Sequence, residues 1–233
     1  MRAFISILTV SAIRESKWCL DNLYRNTHPN DYELILTANG PLAIELFEEF
    51  KADHPDVLTT IVKNENNEGF IEPNRKALDK IPFSSNNIFV MLNDDALVSE
   101  GWLDSIFNAF KNPAIAACGP NGRRLRHDFR GGLPSQGKPE YIEGCCLAVR
   151  SDLAKHVGFF DPNLQLAYGE DSDLCLSFQK DGYEIMELDF PFAHIGSATT
   201  KKIQSKELLM AFNSNHAYLR VKWADYLLNR NFL

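Results

Sequence analysis

The sequence lacks the features that define several large classes of protein. No apolar run approaches the length of a membrane span. The five cysteines are odd in number and form no CxxC pair, which argues against a disulfide framework and a zinc site and favours a reducing compartment. The formal net charge of −7 leaves no excess of Lys and Arg to neutralise phosphates, so a nonspecific nucleic-acid binder is not expected. Small molecules or sugars are the expected partners.

Two nucleotide-binding motifs are also missing. No GxGxxG follows the first predicted strand, and no GxxxxGK[ST] occurs anywhere in the chain. Such glycine-rich loops hold the phosphates of dinucleotides and nucleoside triphosphates. Their absence therefore argues against a dinucleotide-binding protein and against a P-loop protein that binds nucleoside triphosphates.

The first half of the chain alternates between strand-like and helix-like segments. This alternation predicts crossover units and an α/β fold with a mostly parallel central sheet. The strands are predicted at residues 3–10, 32–37, 58–63 and 88–92, and the helices at 15–26 and 41–52.

The second half is less regular. A helix at 101–111 and a short strand at 114–118 precede a stretch, 120–139, that is rich in Gly, Pro and Arg and has no periodicity. It is predicted to be a long loop, of the kind that is functional or disordered. Solvated charge is favoured over phosphate or anionic-acceptor binding for its arginines, Arg123, Arg124, Arg126 and Arg130.

The tail from Ser205 to Leu233 has apolar residues at nearly helical spacing. A helix packed back on the domain is favoured. The tail's basic residues leave a membrane-surface or partner helix open as the alternative.

An acidic triplet, Asn93-Asp94-Asp95, directly follows the buried-strand pattern at 88–92. An open α/β sheet binds its ligands at such strand ends. Adjacent carboxylates repel one another, so we expect a divalent cation or hydrogen-bond donors to balance them.

A second acidic group, Glu170-Asp171-Ser172-Asp173, precedes an apolar helical pattern. Acids in a first helical turn favour the helix dipole, but three in four residues exceed what capping needs. Asp171 would be held rigidly above the sheet, as a general base requires.

His194 follows a predicted strand that ends near Leu188. Alone, such a histidine is more often a core residue or a loop donor. Together with Asp95 it would make a mixed oxygen and nitrogen site, which suits Mn²⁺ and accepts Mg²⁺ less readily.

In this order along the chain, these motifs resemble the nucleotide-sugar glycosyltransferases of family 2, which have the GT-A fold. The resemblance covers nearly the whole chain. Its motifs are Ser6-Ile7-Leu8, Asn66–Phe70 with Asn74, Leu92–Asp95, Glu143–Arg150, Gly158–Asp161, Gly169–Leu174, Asp181-Gly182-Tyr183, His194, and Tyr218 with Lys222-Trp223.

The resemblance implies one GT-A domain over residues 1–233. Residues 1–119 would form its nucleotide-sugar-binding half, 120–200 its acceptor and catalytic half, and 201–233 a helical tail. The implied reaction moves a sugar from a nucleoside-diphosphate sugar to a hydroxyl of a glycan or glycolipid, with inversion and with bound Mn²⁺ or Mg²⁺. The implied location is cytoplasmic, with possible peripheral contact at the inner face of the membrane.

The resemblance also assigns roles to individual residues. It makes Asp95 and His194 the metal ligands and Asp171 the catalytic base, with Glu170 beside it as an acceptor-binding acid or fallback base. The residues expected to contact the nucleotide are Thr9, Val10, Ser11, Asn39, Gly69, Asn74, Asn93 and Asp94.

Departures from the family pattern leave alternatives open. Ala38 and Pro73 stand where many members have an Asp and an Arg that read the base, so the donor's base is not assigned. Asn93 replaces the first Asp of the DxD-like motif. A non-catalytic nucleotide- or sugar-binding protein is the first alternative, and a sugar nucleotidyltransferase is the second.

Overall fold

A seven-stranded sheet forms the centre of the molecule in the computed structural model, which describes residues 1–196 and 205–230. The strand order is β11-β6-β10-β4-β1-β2-β3. These strands are β1 (Arg2–Thr9), β2 (Tyr32–Asn39), β3 (Thr59–Asn64), β4 (Asn87–Leu92), β6 (Ile115–Gly119), β10 (Cys146–Arg150) and β11 (Glu184–Glu187). β10 runs antiparallel to β4 and β6, and the other neighbours are parallel. The mixed α/β fold with a mostly parallel sheet is therefore confirmed.

The central strands are apolar on both faces because helices cover both sides of the sheet. In β1, Ile5 and Ile7 pack into one core cluster, whereas Phe4 packs into the other. β4 alternates in the same way, with Val90 on one face and Phe89 on the opposite face. This two-sided burial explains the near-continuous apolar runs that predicted these strands.

The helices divide between the two faces. One core cluster receives α1 (Ile13–Asn26), α2 (Pro41–Asp53) and α4 (Trp102–Ala109). The other receives α3 (Ile71–Asp79), α5 (Ser151–His156) and α6 (Glu170–Lys180). A short 3-10 turn at Pro29–Asp31 leads into β2.

Two small sheets lie outside the central one. β5 (Ala96–Val98) pairs antiparallel with β12 (Phe192–His194). The second small sheet has the order β8-β7-β9, with strands β7 (Gly122–Leu125), β8 (Gly132–Pro134) and β9 (Tyr141–Ile142).

The prediction of a long structureless loop over 120–139 was wrong, because this segment supplies β7 and β8. These strands are only four and three residues long, too short to show a period, and they are defined by antiparallel pairing with each other and of β7 with β9. Arg123 pairs with Glu143, Arg126 with Asp128, and Arg130 with Asn213.

The described part of the tail forms α7 (Lys206–Lys222) and α8 (Ala224–Arg230). Leu219 and Trp223 are buried in the core, so α7 packs back on the domain. Residues 197–204 and 231–233, which the sequence analysis counted with the catalytic half and the tail, lie outside the described residues. None of the helices in the described ranges is long and apolar enough to cross a membrane.

Candidate active site

A cleft of about 770 Å³ opens at the carboxyl ends of β1 and β4. It has two walls, here called the strand wall and the loop wall. The strand wall consists of Ser6, Leu8, Val10, Asn67, Gly69, Phe70, Asn74 and residues 91–95, and the loop wall of residues 143–145, 166–168, Glu170 and Asp171. His194, Gly196, Ser205, Glu207 and Leu208 complete the rim. The cleft thus brings together Asp95, Asp171 and His194 from three distant parts of the chain.

Asp95 and His194 form a close pair in the cleft. His194 Nε2 lies 2.9 Å from Asp95 Oδ1, and Asn93 Nδ2 lies 3.1 Å from the same ring nitrogen. Hydrogen bonds with Asp95 and then with Cys145 raise the pKa of His194 to about 10, against the lowering effect of burial. A metal ion at this pair would therefore have to displace a proton from the ring.

Strand pairing explains why these two residues meet. β12 places His194 directly opposite Ala96 of β5, and the Ile195 amide donates to the Asp95 carbonyl at 3.1 Å. The short strand β12 was not predicted, so spacing alone gave no reason to expect the contact.

Asp94 also lines the cleft, but one of its oxygens is engaged inside the fold. Asp94 Oδ2 accepts a hydrogen bond from Ser16 Oγ at 2.9 Å, and Ser16 Oγ lies 2.9 Å from Thr9 Oγ1. Burial raises the pKa of Asp94 to about 6, although the bonds to Ser16 and Thr9 lower it. This network ties the acidic triplet to the first turn of α1.

Asp171 stands at the first turn of α6 and faces the cleft. Its Oδ2 accepts from the Gly144 amide at 3.1 Å, and its Oδ1 accepts from the Ser172 amide at 2.7 Å. These two donors fix the orientation of the carboxylate. Burial nevertheless raises the pKa of Asp171 above the usual range of an aspartate.

Glu170, next to Asp171, is 7% exposed, and its Oε2 has no hydrogen-bond partner among the described residues. Burial, followed by the charge of Asp171, raises the pKa of Glu170 well above its ordinary value. The cleft therefore holds a buried and a half-buried carboxyl group whose ionisation is opposed by their surroundings, which is typical of functional sites.

The residues predicted to contact the nucleotide fall into two layers. Val10, Gly69, Asn74, Asn93 and Asp94 belong to the strand wall. Thr9, Ser11 and Asn39 lie outside the described lining, and Thr9 and Asn39 are almost fully buried. The second layer supports the wall from behind, so direct nucleotide contact by these three residues stays a prediction.

Asn39 shows how this support works. Its Nδ2 donates to Asn67 Oδ1 and to the Gly69 carbonyl, both at 2.9 Å, while its Oδ1 accepts from Asn64 Nδ2 and the Glu68 amide at 3.0 and 3.1 Å. These bonds use the full capacity of an amide side chain. Asn39 therefore shapes the turn at 64–69 and places Asn67 in the strand wall.

Several cleft residues carry no role that was predicted from the sequence. Asn67, Leu166, Tyr168, Glu143 and Cys145 all line it without having been assigned a role. Ala38 and Pro73, where the family often has base-reading polar groups, are both buried. Near these two positions, the strand wall instead carries the amides of Asn74, which follows Pro73, and of Asn67, which bonds to Asn39 beside Ala38.

Comparison with known proteins relates the chain to solved structures. No protein-family model matches the chain. No curated protein sequence matches it either. Similar folds occur in the mannosyltransferase PcManGT from Pyrobaculum calidifontis in complex with GDP-Man and Mn²⁺ (17% identity, TM-score 0.67) and in GalNAc-T7 with UDP, GalNAc and Mn²⁺ (15%, 0.66). Residues 1–349 of S. aureus TarS in complex with UDP-GlcNAc give 14% identity and a TM-score of 0.58.

These similarities confirm the GT-A-like fold class. The matches cover 80%, 81% and 81% of this chain but only 54%, 42% and 56% of the respective neighbours. The chain therefore corresponds to about half the length of the structures it resembles, and at these identities the likeness concerns the fold.

The donor atoms in the cleft fit a divalent cation that also binds a substrate. Within residues 1–196 and 205–230, no group of three His, Cys, Asp or Glu is placed to hold a metal by itself. Asp95 and His194 offer one oxygen and one nitrogen. Mg²⁺ is commonly bound by one or two carboxylates together with substrate phosphates and water. A carboxylate with an imidazole suits Mn²⁺ better in such an arrangement, with substrate phosphates and water as the other ligands.

Proposed function

We propose that this protein is a metal-dependent, inverting glycosyltransferase that moves a sugar from a nucleoside-diphosphate sugar to an acceptor hydroxyl. The observation that carries the proposal is a single cleft, in a GT-A-like fold, that brings together Asp95, His194 and Asp171. The neighbours that share this fold were solved with GDP-Man, with UDP and GalNAc, and with UDP-GlcNAc, which supports a nucleotide-sugar donor.

Asp95 and His194 would hold the cation. When bound, a divalent ion would stabilise the negative charge that develops on the departing diphosphate. His194 would have to lose its proton for this role, whereas Asp95 is 4% exposed and held in place by its position between β4 and β5. Asp94, with its bond to Ser16, would then define the edge of the nucleotide site.

Asp171 would act as the general base. Its carboxylate belongs to the loop wall of the same cleft, and two backbone amides fix it. It would take the proton of the acceptor hydroxyl while the acceptor oxygen bonds to the anomeric carbon and the diphosphate leaves with its bonding electrons. A single displacement of this kind inverts the anomeric configuration.

The cleft also supports the proposed division of the chain. Residues 1–119 supply the strand wall and would bind the nucleotide, whereas residues 120–200 supply the loop wall and would receive the acceptor. In the tail, Ser205, Glu207 and Leu208 reach the rim, and Leu209 and Met210 beside them are 62% and 61% exposed. A glycan or glycolipid acceptor, with peripheral membrane contact through this part of α7, is consistent with that exposure.

The test combines binding with turnover. Thermal-shift measurements use GDP, UDP and other nucleoside diphosphates, each with and without Mn²⁺. The nucleoside diphosphate of one base should raise the melting temperature of the protein, and the increase should be larger when Mn²⁺ is present. The corresponding nucleotide sugar should then release nucleoside diphosphate on addition of an acceptor from a glycan and glycolipid panel.

The alternatives predict different outcomes. Selective binding without release of nucleoside diphosphate across the panel would favour a non-catalytic binding protein. Release of pyrophosphate from a nucleoside triphosphate and a sugar phosphate would favour a nucleotidyltransferase. No metal-dependent nucleotide binding at all would contradict the proposal.

A further inference from the structure

The segment from Gln165 to Gly169, here called the clamp loop, has an unusual backbone. Leu166, Tyr168 and Gly169 have φ angles of 54°, 79° and 90°. Residues other than glycine adopt such left-handed backbone conformations only at a cost in free energy, so the surrounding structure must hold the loop in place. The loop forms part of the cleft and continues directly into Glu170 and Asp171. Its path therefore determines where α6 begins and where Asp171 stands.

One side chain from the tail holds this loop. Asn215 lies on α7 and is 1% exposed. Its Oδ1 accepts from the Gln165 amide at 3.0 Å, and its Nδ2 donates to the carbonyls of Gln165, Ala167 and Tyr168 at 2.8, 3.0 and 3.1 Å. These contacts engage both the donor and the acceptor capacity of the amide, and all of them go to the clamp loop.

The clamp loop in turn contacts the strand wall. The Leu166 carbonyl accepts from the amides of Phe70 and Ile71, at 2.6 and 3.0 Å, where α3 begins. The approach is so close that a Cβ at Gly69 would lie 2.6 Å from the same carbonyl oxygen. Asn215 thus fixes a segment that touches both walls of the cleft.

Asn215 is not the main attachment of α7 to the domain. Farther along, Trp223 Nε1 donates to Asp173 Oδ1 at 2.7 Å, Lys222 Nζ lies 2.9 Å from Asp173 Oδ2, and Leu219 is fully buried. These contacts dock the helix without a hydrogen bond to the clamp loop, although Leu219 also packs against Gly169 at the end of that loop. The hydrogen bonds of Asn215 are therefore not required to attach α7, and their effect falls on the clamp loop.

We propose that Asn215 is a positioning residue that sets the place of Asp171 and the width of the cleft through the clamp loop, without contacting the substrate. The role of Asp171 in this inference rests on the proposed function. The physical reason is that a strained loop with its carbonyls released would relax, carrying the first turn of α6 with it and admitting water beside Glu170 and Asp171.

The test uses Asn215→Ala and Asn215→Asp in the full chain. Both remove the donation to three carbonyls, and the Asp variant keeps an acceptor for the Gln165 amide. We expect kcat to fall at least tenfold in both, with the KM for the donor changed less than threefold. The acidic limb of the pH–rate profile should move to lower pH, because water reaching Asp171 reduces the burial that raises its pKa.

Two control variants separate positioning from general stability. Asn213→Ala removes an exposed amide two residues away that bonds to Arg130 and to the Leu209 carbonyl, and it should leave kcat unchanged. Trp223→Phe removes the bond to Asp173, so it should lower the melting temperature while keeping kcat per folded molecule and the pH profile.

Hydrogen–deuterium exchange provides a readout that does not depend on turnover. Asn215→Ala should accelerate exchange across residues 165–173 and leave β1 and β4 protected. If the wild type transfers no sugar, the proposed function fails, and the clamp is then judged on exchange alone. Unchanged exchange at 165–173, or a kcat loss that Trp223→Phe reproduces with an unmoved pH profile, would overturn the inference.

Discussion

The strand ends within the strand wall and the loop wall of the cleft are held in shape by different interactions, whereas the turn at 64–69 in the strand wall depends on the side chain of Asn39. In the strand wall, Asp95 and Val10 follow β4 and β1, whose backbones are fixed by parallel ladders to their neighbours. In the loop wall, Asp171 follows a stretch with left-handed residues, and side chains such as Asn215 satisfy its backbone groups.

This difference has consequences for how each wall responds to mutation. A ladder consists of many backbone bonds, so the loss of one side chain leaves the strand path nearly unchanged. A clamped loop depends on a few side-chain bonds, so the loss of one can move several residues. We therefore expect function to be more sensitive to distant substitutions on the loop wall than on the strand wall.

The largest effect is expected from Asp171→Asn, which tests the loop wall directly. The amide keeps the shape of the carboxylate but cannot accept a proton, so transfer should fall by about 10²- to 10⁴-fold. Calorimetry should show that nucleotide and Mn²⁺ still bind. The matched control is Asp104→Asn, an exposed first-turn acid of α4, which should be active. Full activity of Asp171→Asn would reject the base assignment.

On the strand wall, Asp95→Ala and His194→Ala should weaken the response to Mn²⁺. Loss of an outer partner of a metal ligand typically costs about 10- to 100-fold in metal affinity, and loss of a ligand should cost at least as much. Titration of Mn²⁺ against nucleotide binding measures the change. His156→Ala, at an exposed site on α5, is the control. An unchanged Mn²⁺ dependence in both cleft variants would show that Asp95 and His194 do not bind the metal.

A pH–rate profile also tests the loop wall, and the change in rate expected from it is smaller. Asp171 must be ionised to act as a base, and burial raises its pKa. The rate should therefore fall as pH decreases, by about tenfold per unit below that pKa, and this limb should begin at a higher pH than for an exposed aspartate. A flat profile down to pH 4, in a protein that stays folded, would contradict this expectation.

Lys222→Met tests how firmly the tail is docked on the domain. Lys222 lies 2.7 Å from Asp161 Oδ2 and 2.7 Å from Asp173 Oδ1, and Asp173 is 1% exposed. Burial raises the pKa of Asp173 more than its bonds to Lys222 and Trp223 lower it. Removing the lysine leaves a buried carboxylate short of a partner, so the free energy of unfolding should fall by about 3 kcal/mol.

The sign of the pH dependence checks this explanation. In Lys222→Met the folded-state pKa of Asp173 should rise further above its unfolded value, so the deficit in stability should shrink at low pH and grow as pH rises. Urea denaturation at several pH values measures it, with Lys206→Met, in the exposed first turn of α7, as the control. A deficit independent of pH would point to lost packing by the lysine stem.

The same contrast explains what could be predicted from the sequence. β1 was predicted at 3–10 and spans Arg2–Thr9, and β4 was predicted at 88–92 and spans Asn87–Leu92. A strand buried on both faces has a local apolar signature. The N-terminus of α6 at Glu170 was predicted as well, since acidic residues followed by an apolar pattern are also local.

The loop wall carries little of its information locally. The left-handed clamp loop in this wall has only Gly169 as a sequence sign of its backbone. Outside the cleft lining, β7 and β8 are likewise short and are defined by strand pairing. Asn215 is a single amide in a helix. Its spacing of four residues from Ala211 and Leu219 places it on the buried face, but no pattern indicates that it bonds to the clamp loop. The contact of His194 with Asp95 likewise depends on β5 and β12. It was expected from the metal-binding chemistry of a carboxylate with an imidazole and from the family resemblance, and not from a strand pattern.

The smallest effect on activity is expected from Thr27→Val, which tests whether a buried polar bond in the first half of the chain matters to the cleft. Trp102 Nε1 donates to Thr27 Oγ1 at 2.8 Å, and both residues are buried away from the cleft. Valine keeps the shape but leaves the indole N–H without its acceptor, which should cost about 1–3 kcal/mol of unfolding free energy. Because the strand ends in the strand wall are held by backbone ladders, kcat and the donor KM should stay within about twofold, in contrast to Asn215→Ala. A tenfold loss of kcat in Thr27→Val, measured on folded protein, would show that these strand ends also depend on single side-chain bonds and would remove their distinction from the loop wall.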